Sequence, residues 1–165
     1  MMTDRVLHTL KPVYSSDSRV LILGTMPSPK SRETGFYYGH PQNRMWRVLA
    51  EVFGDKLPSS NEEKAEFLNR HHIAMWDVLA ECDIKGAQDS SIKNPVANDI
   101  NIILKNSSVK KIFTAGKTAG KLYRKYCLEN TGREAVELPS TSPANCACGF
   151  EKLVEAYNIL CEYCE

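Results

Sequence analysis

Arg19-Val20-Leu21-Ile22-Leu23-Gly24 is a continuous apolar run closed by glycine and followed at once by Thr25-Met26-Pro27-Ser28-Pro29. A strand with one wet face alternates apolar and polar residues, whereas one covered on both faces does not; this run therefore reads as a central strand of a parallel sheet. Three more β-rich runs follow at residues 73–79 (IAMWDVL), 109–116 (VKKIFTAG) and 135–139 (AVELP). Between them the spacing turns helical. Met45, Trp46, Leu49, Val52 and Phe53 recur at three and four residues and stop at Gly54, and Ser60 with Glu63 makes a capping-box pattern ahead of Ala65 and Leu68. Asn94-Pro95 precedes Ala97, Ile100, Ile103 and Leu104 in the order of a cap and first turn. Phe150, Leu153, Val154, Tyr157, Leu160 and Cys161 make one apolar stripe on a helix predicted from near Cys148 to the C-terminus. Such β-α alternation predicts an α/β fold, a three-layer α/β/α sandwich around a central, mostly parallel four-stranded sheet. Ligands of these sheets bind beyond the carboxyl ends of the strands, which singles out residues 25–40, 77–94, 116–118 and 140–145.

At 165 residues and 42% hydrophobic, the chain holds one core, read as a single domain over residues 1–165. Charged residues at 25% and aromatics at 8% exclude a disordered or collagen-like chain. No apolar run approaches the ~20 residues of a membrane span. The first residues lack a signal-type apolar segment, so a cytoplasmic protein with its six cysteines reduced is expected. The net charge of +1 conceals a local imbalance: Lys105, Lys110, Lys111, Lys117, Lys121, Arg124, Lys125 and Arg133 share their stretch with one acid, Glu129. Glu51, Asp55, Glu62, Glu63 and Glu66 make another stretch acidic. The basic stretch is either a face for a polyanion or a solvated, lysine-rich helix.

Two loops carry the candidate chemistry. The first runs from Gly24 through two prolines to Phe36-Tyr37-Tyr38-Gly39-His40-Pro41-Gln42-Asn43; it offers backbone N–H groups and flat rings against which a planar ligand could stack, with core packing as the alternative for the aromatics. The second, Leu138-Pro139-Ser140-Thr141-Ser142-Pro143-Ala144-Asn145, sets three hydroxyls between prolines, suited to a phosphate or to an ordinary capped turn. Gly116-Lys117-Thr118 fails as a nucleotide phosphate loop, because the first glycine of that pattern would fall on Lys111. Lys117 and Lys121, at the start of the following helix, suit an external phosphate backbone better. Cys146, Cys148, Cys161 and Cys164 match no common metal spacing, His71-His72 lacks a partnered carboxylate motif, and no metal or other cofactor is expected.

Taken together, G-x-x-P-S and G-F-Y-Y-x-H-P-x-N followed by W, with L-P-S-T-S-P-A-N near the end, resemble the uracil-DNA glycosylase superfamily and within it the hypoxanthine (deoxyinosine) branch, close to the mismatch-specific uracil enzymes. The resemblance implies that Gly24, Thr25, Met26, Pro27 and Ser28 face the sugar and base, with His40 beside them. It implies further that Tyr38 stacks on an extruded base, that Asn43 is the polar catalytic residue, and that Ser140, Thr141, Ser142, Pro143 and Asn145 enter DNA and hold its phosphates. Where many relatives carry a water-positioning acid or Asn, this chain has Met26; where many carry histidine, it has Leu138. An amide common after the third strand is matched to Thr114, a further catalytic candidate. The activity so implied is monofunctional hydrolysis of the N-glycosidic bond of a deaminated base in DNA by a monomer, with no lysine placed as a Schiff-base nucleophile. A G·U/G·T-directed uracil glycosylase, a non-catalytic DNA-binding module and a generic nucleotide-binding domain are the alternatives.

Overall fold

The computed structural model describes residues 3–164; Met1, Met2 and Glu165, which the single-domain expectation includes, lie outside the described residues. In chain order the first elements are β1 (Asp4–Leu7), β2 (Val20–Gly24), α1 (Pro29–Thr34), α2 (Met45–Phe53) and α3 (Asn61–Arg70). Next come β3 (Ile73–Asp77), β4 (Leu79–Lys85), β5 (Gln88–Ala97), α4 (Asn101–Lys105) and β6 (Lys111–Ala115). The last are α5 (Lys117–Tyr126), α6 (Leu128–Thr131), β7 (Ala135–Leu138), α7 (Phe150–Tyr157) and a 3₁₀ turn (Asn158–Glu162).

The central sheet has the order β3-β2-β6-β7 and is parallel at every junction. All five residues of β2 and all five of β3 are buried, as an uninterrupted apolar strand requires when helices cover both sides. The α/β/α layering expected from the sequence is thus the fold: α3 packs on β3, α5 on β6 and β7, and α2 against α7. Phe67, Phe113, Tyr123 and Tyr157 are the largest fully buried side chains; Tyr157 directs its hydroxyl to Pro139 O at 2.7 Å, tying α7 to the loop after β7. α3 has the expected cap, Ser60 Oγ accepting Glu63 N–H at 3.1 Å. α2 ends at Gly54, whose φ of 59° is the left-handed conformation that closes a helix.

A second sheet, three antiparallel strands in the order β1-β4-β5, is absent from the sequence expectation. It corrects two assignments. The run at residues 73–79 is not one strand: β3 stops at Asp77, opposite the end of β2 at Gly24, and beyond it only the N–H groups of Val78 and Leu79 still reach Gly24 O and Thr25 O. After Val78 the chain crosses into β4 and pairs with β1 and β5 instead. The helix predicted from Asn94-Pro95 is also wrong at its start. Those residues lie in β5, an edge strand that tolerates a proline, and Asn94 takes φ 50° while its amide donates to Asp83 Oδ2 at 2.8 Å; the helix there is only α4. The final helix gives way to 3₁₀ at Asn158, with Phe150 exposed, Cys161 half-buried and Cys164 buried. No helix among the described residues is long and apolar enough to cross a membrane.

Candidate active site

The carboxyl ends of β2, β3, β6 and β7 open onto a cavity of about 380 Å³. Its lining includes Gly24, Thr25, Met26, Pro27, Ser28, Tyr38, His40 and Asn43 from the first loop, and Ser140, Thr141, Ser142 and Pro143 from the second. Gly86, Ala87 and Asp89, at the tip of the β4–β5 hairpin, form a further wall. A broader groove adjoins it, lined by Lys117, Asn145, Ser140 and Lys152 among others. Two expected residues stand apart. Thr114 is wholly buried and its Oγ1 lies toward Gly120 rather than the cavity, because successive side chains of a strand point to opposite faces. Lys121 is exposed on α5, one turn beyond Lys117, and lines neither space.

The three adjacent aromatics divide by packing: Phe36 stays in the core, Tyr37 is a core residue that also borders the cavity, and Tyr38 lies at its floor. Phe36 and Tyr37 belong to the core, with ring centroids 5.8 Å apart in an edge contact; Tyr37 donates its hydroxyl to Lys11 O at 2.7 Å, and Trp46 Nε1 donates to Tyr37 O at 3.0 Å. Tyr38 follows with φ 53°, a left-handed backbone uncommon for a bulky residue. Its phenolic oxygen is buried without a hydrogen-bond partner among the described residues. It comes to 3.0 Å from the point a Cβ on Gly24 would occupy, and Asp77 Oδ1 to 2.5 Å, so any larger residue at 24 would fill the cavity floor. Burial, followed by the charge of Asp77, pushes the Tyr38 phenol well above its ordinary pKa, so it stays protonated and can donate.

Asn43 is held by the ends of two elements. Its Oδ1 accepts Met45 N–H at 2.9 Å at the start of α2, and the Thr141 hydroxyl at 2.8 Å. Because a backbone N–H can only donate, the Met45 contact fixes which way the amide points and leaves its NH₂ as the uncommitted end. Asn43 therefore offers donors to the cavity, not the combination of donor and acceptor that its residue type alone allows. Arg44 beside it fastens the second loop: its N–H donates to Thr141 O at 3.1 Å, and its guanidinium to the carbonyls of Cys148, Ser142 and Asn145 at 2.6, 3.2 and 3.1 Å. The loop also braces itself, with Ser140 Oγ accepting Ser142 N–H, Ser142 Oγ accepting Ala144 N–H and the Asn145 amide donating to Ser140 O. Ser28 likewise has a structural duty, capping α1 by accepting Ser31 N–H at 3.1 Å.

Asp77 is a functional candidate that the sequence marked only as the first residue of the 77–94 segment, with no role of its own. It ends an otherwise apolar strand, its side chain is 5% exposed, and its Oδ2 meets His8 Nε2 at 2.8 Å. A lone acid closing a fully apolar strand was the available signal; nothing marked His8. Asp89 at the hairpin tip has its carboxyl pushed up by desolvation and by the charge of Asp77, against a Thr118 hydrogen bond that lowers it. Burial raises the thiols of Cys127 and Cys164 to about 11 and about 12, marking them as core residues, and no group of three or more metal-ligating side chains occurs among the described residues.

The sequence model of the Uracil DNA glycosylase superfamily matches residues 11–160. The chain is similar to a hypoxanthine DNA glycosylase of Methanosarcina barkeri (strain Fusaro / DSM 804), 34% identical over 136 residues, covering 81% of this chain and 85% of that one. A hypoxanthine DNA glycosylase of Methanosarcina acetivorans is 33% identical over 135 residues, covering 81% and 84%. The solution NMR structure of a candidate uracil DNA glycosylase from Methanosarcina acetivorans superposes with a TM-score of 0.77 at 28% identity, over 97% of this chain and 99% of that one.

Proposed function

The chain belongs to the uracil DNA glycosylase superfamily, and on that premise we propose that it is a monofunctional glycosylase that hydrolyses the N-glycosidic bond of hypoxanthine flipped out of DNA. One observation carries the reading: a single cavity gathers Tyr38, Asn43 and Asp77 at the ends of parallel strands, with the braced 140–145 loop at its edge. Breaking the bond develops oxocarbenium character on the sugar and negative charge on the departing base. The Asn43 NH₂ group, held from behind by Met45 and Thr141, is a preorganised donor for that charge. Tyr38 borders the base with its hydroxyl over the cavity floor at Gly24, and the backbone at Gly24, Thr25, Met26, Pro27 and Ser28 lies against the sugar and base. Ser140, Ser142, Pro143 and Asn145 meet the flanking backbone, whereas Thr141, expected among them, is buried with its hydroxyl on Asn43 and supports the loop from beneath; Lys117 at the first turn of α5 faces a phosphate across the adjoining groove. No lysine lines the base cavity among its described residues, which favours hydrolysis to an abasic site without strand cleavage. The protein acts on this reading as a single-domain monomer in the cytoplasm, where buried thiols such as Cys82 and Cys127 stay reduced.

The test is one incubation of purified protein with duplexes containing deoxyinosine or deoxyuridine, followed by alkali. Strand breaks at deoxyinosine, appearing only after alkali, are expected. Preferential breakage at deoxyuridine would transfer the assignment to a mismatch uracil glycosylase, and binding without breaks at either would leave a DNA-binding module.

A further inference from the structure

Asp77 presents two unlike oxygens. Oδ2 is occupied by His8 Nε2 at 2.8 Å, with both side chains almost fully buried, and His8 is the only side-chain partner of that carboxylate among the described residues. Oδ1 stands over Gly24 in the cavity floor, as does the Tyr38 hydroxyl, which has no partner among the described residues. His8 in turn is fixed by its surroundings: its backbone N–H donates to Ala80 O at 2.7 Å, and its ring packs edge-on to Trp76 and against Tyr37.

We propose that His8 is a positioning residue for base selection: by donating Nε2–H to Asp77 it holds the carboxylate as a fixed acceptor beside the Tyr38 donor, so that the floor reads the lactam edge created by deamination. The inference rests on the glycosylase reading above. A carboxylate accepts only, and a phenol held protonated donates. A floor that accepts at one point and donates at the next matches a ring N–H beside a carbonyl, the edge hypoxanthine presents through N1–H and O6. Adenine presents the reverse edge, a ring-nitrogen lone pair beside an amino group, and its lone pair would face the Asp77 carboxylate. Removing His8 would leave Asp77 buried without its donor. The carboxylate would then be free to rotate, and the acceptor would no longer be fixed beside Tyr38. A site built to bond a substrate N–H rejects analogues that lack it because its own polar group is left unpaired, and this rejection is what His8 maintains.

The experiment compares single-turnover release of hypoxanthine with that of unsubstituted purine, which lacks both O6 and N1–H, from otherwise identical duplexes. In His8→Leu the hypoxanthine-to-purine rate ratio is expected to fall about tenfold or more, since one hydrogen bond to a charged group is lost from the selective edge alone. His8→Gln, whose amide NH₂ reaches where Nε2 does, is expected to restore the ratio to within about threefold of wild type. Equal losses on both bases in His8→Leu, or an unchanged ratio, would overturn the proposal by reducing His8 to a packing residue. If His8→Leu does not fold, Asp77→Asn decides in its place: the ratio must fall about tenfold, and an unchanged ratio overturns the proposal. A wild-type protein that releases neither base would overturn the glycosylase reading itself and this inference with it, a result distinct from an active enzyme whose ratio ignores His8.

Discussion

Asn43 shows how far a single residue could be read from the chain. Its place after Tyr38 and His40 was legible because the short motif fixes spacing, and the structure does put it in the cavity with Tyr38. Which of its two polar ends faces the cavity was not legible, because that is decided by Met45 and by Thr141, the latter 98 positions away. Thr114 illustrates the converse: residue type and strand position were visible, but the facing direction depended on register with β2 and β7 and turned it toward Gly120. Asn43→Ala removes the oriented donor and two anchors of α2 and the second loop. Base release should fall by ~10²-fold, equivalent to losing one transition-state hydrogen bond of ~2.7 kcal/mol, while duplex affinity changes little. Single-turnover rates set beside equilibrium binding measure the two effects separately; a rate equal to wild type would place the essential donor elsewhere.

Among the elements, the four parallel strands were legible because their apolar runs are local signals, whereas the antiparallel sheet was not. In β4 the alternation of Cys82 and Ile84 with Glu81, Asp83 and Lys85 is a strand signal, but Pro95 in β5 imitates a helix start unless its position at a sheet edge is known. The junction between α2 and α3 carries a pH dependence of its own. The Asp55 carboxyl accepts from His71 Nε2 at 2.7 Å and from Arg70 at 2.7 and 3.0 Å, and these bonds, with that from Lys56 N–H, hold it well below the usual carboxylate range. A carboxyl whose pKa is depressed on folding stabilises the fold above its unfolded pKa of about 3.9, and that contribution disappears as the pH falls toward the folded value. Asp55→Asn should accordingly lower Tm at pH 7, with the deficit narrowing on acidification below about pH 4. Parallel melting curves for the two proteins from pH 7 to 2.5 would show it; a deficit independent of pH would mean that Asp55 acts through packing alone.

At the scale of the molecule, the site sits where the two sheets meet. Asp77 ends β3 of one sheet, His8 follows β1 of the other, and the β4–β5 tip lines the same cavity as Asp77. A junction of this kind has no sequence signature, because it is made by strands far apart in the chain that lose one partner and take another. Charge was legible at this scale only as a sum: the chain is nearly neutral, yet its basic residues crowd into residues 105–133. The fold separates that stretch into positions beside the cavity and positions away from it. Lys117 lies in the groove beside the cavity, on the opening turn of α5, where the helix N–H groups also face outward. Lys121 is four residues further along, outside both spaces, and Arg124 is engaged 4.0 Å from Glu137. Each phosphate neutralised by a cation releases counterions and adds about 0.9 to the slope of log affinity against log salt. Lys117→Ala should therefore weaken binding of any duplex, with or without a damaged base, and make the slope shallower by about one. Lys121→Ala should leave the slope within about 0.3 of wild type, because a solvated lysine outside the groove displaces no ordered counterion. Titrations of a fluorescent duplex across a salt series measure both slopes, and equal losses for the two variants would show that the whole basic stretch acts as a diffuse field rather than through one phosphate contact.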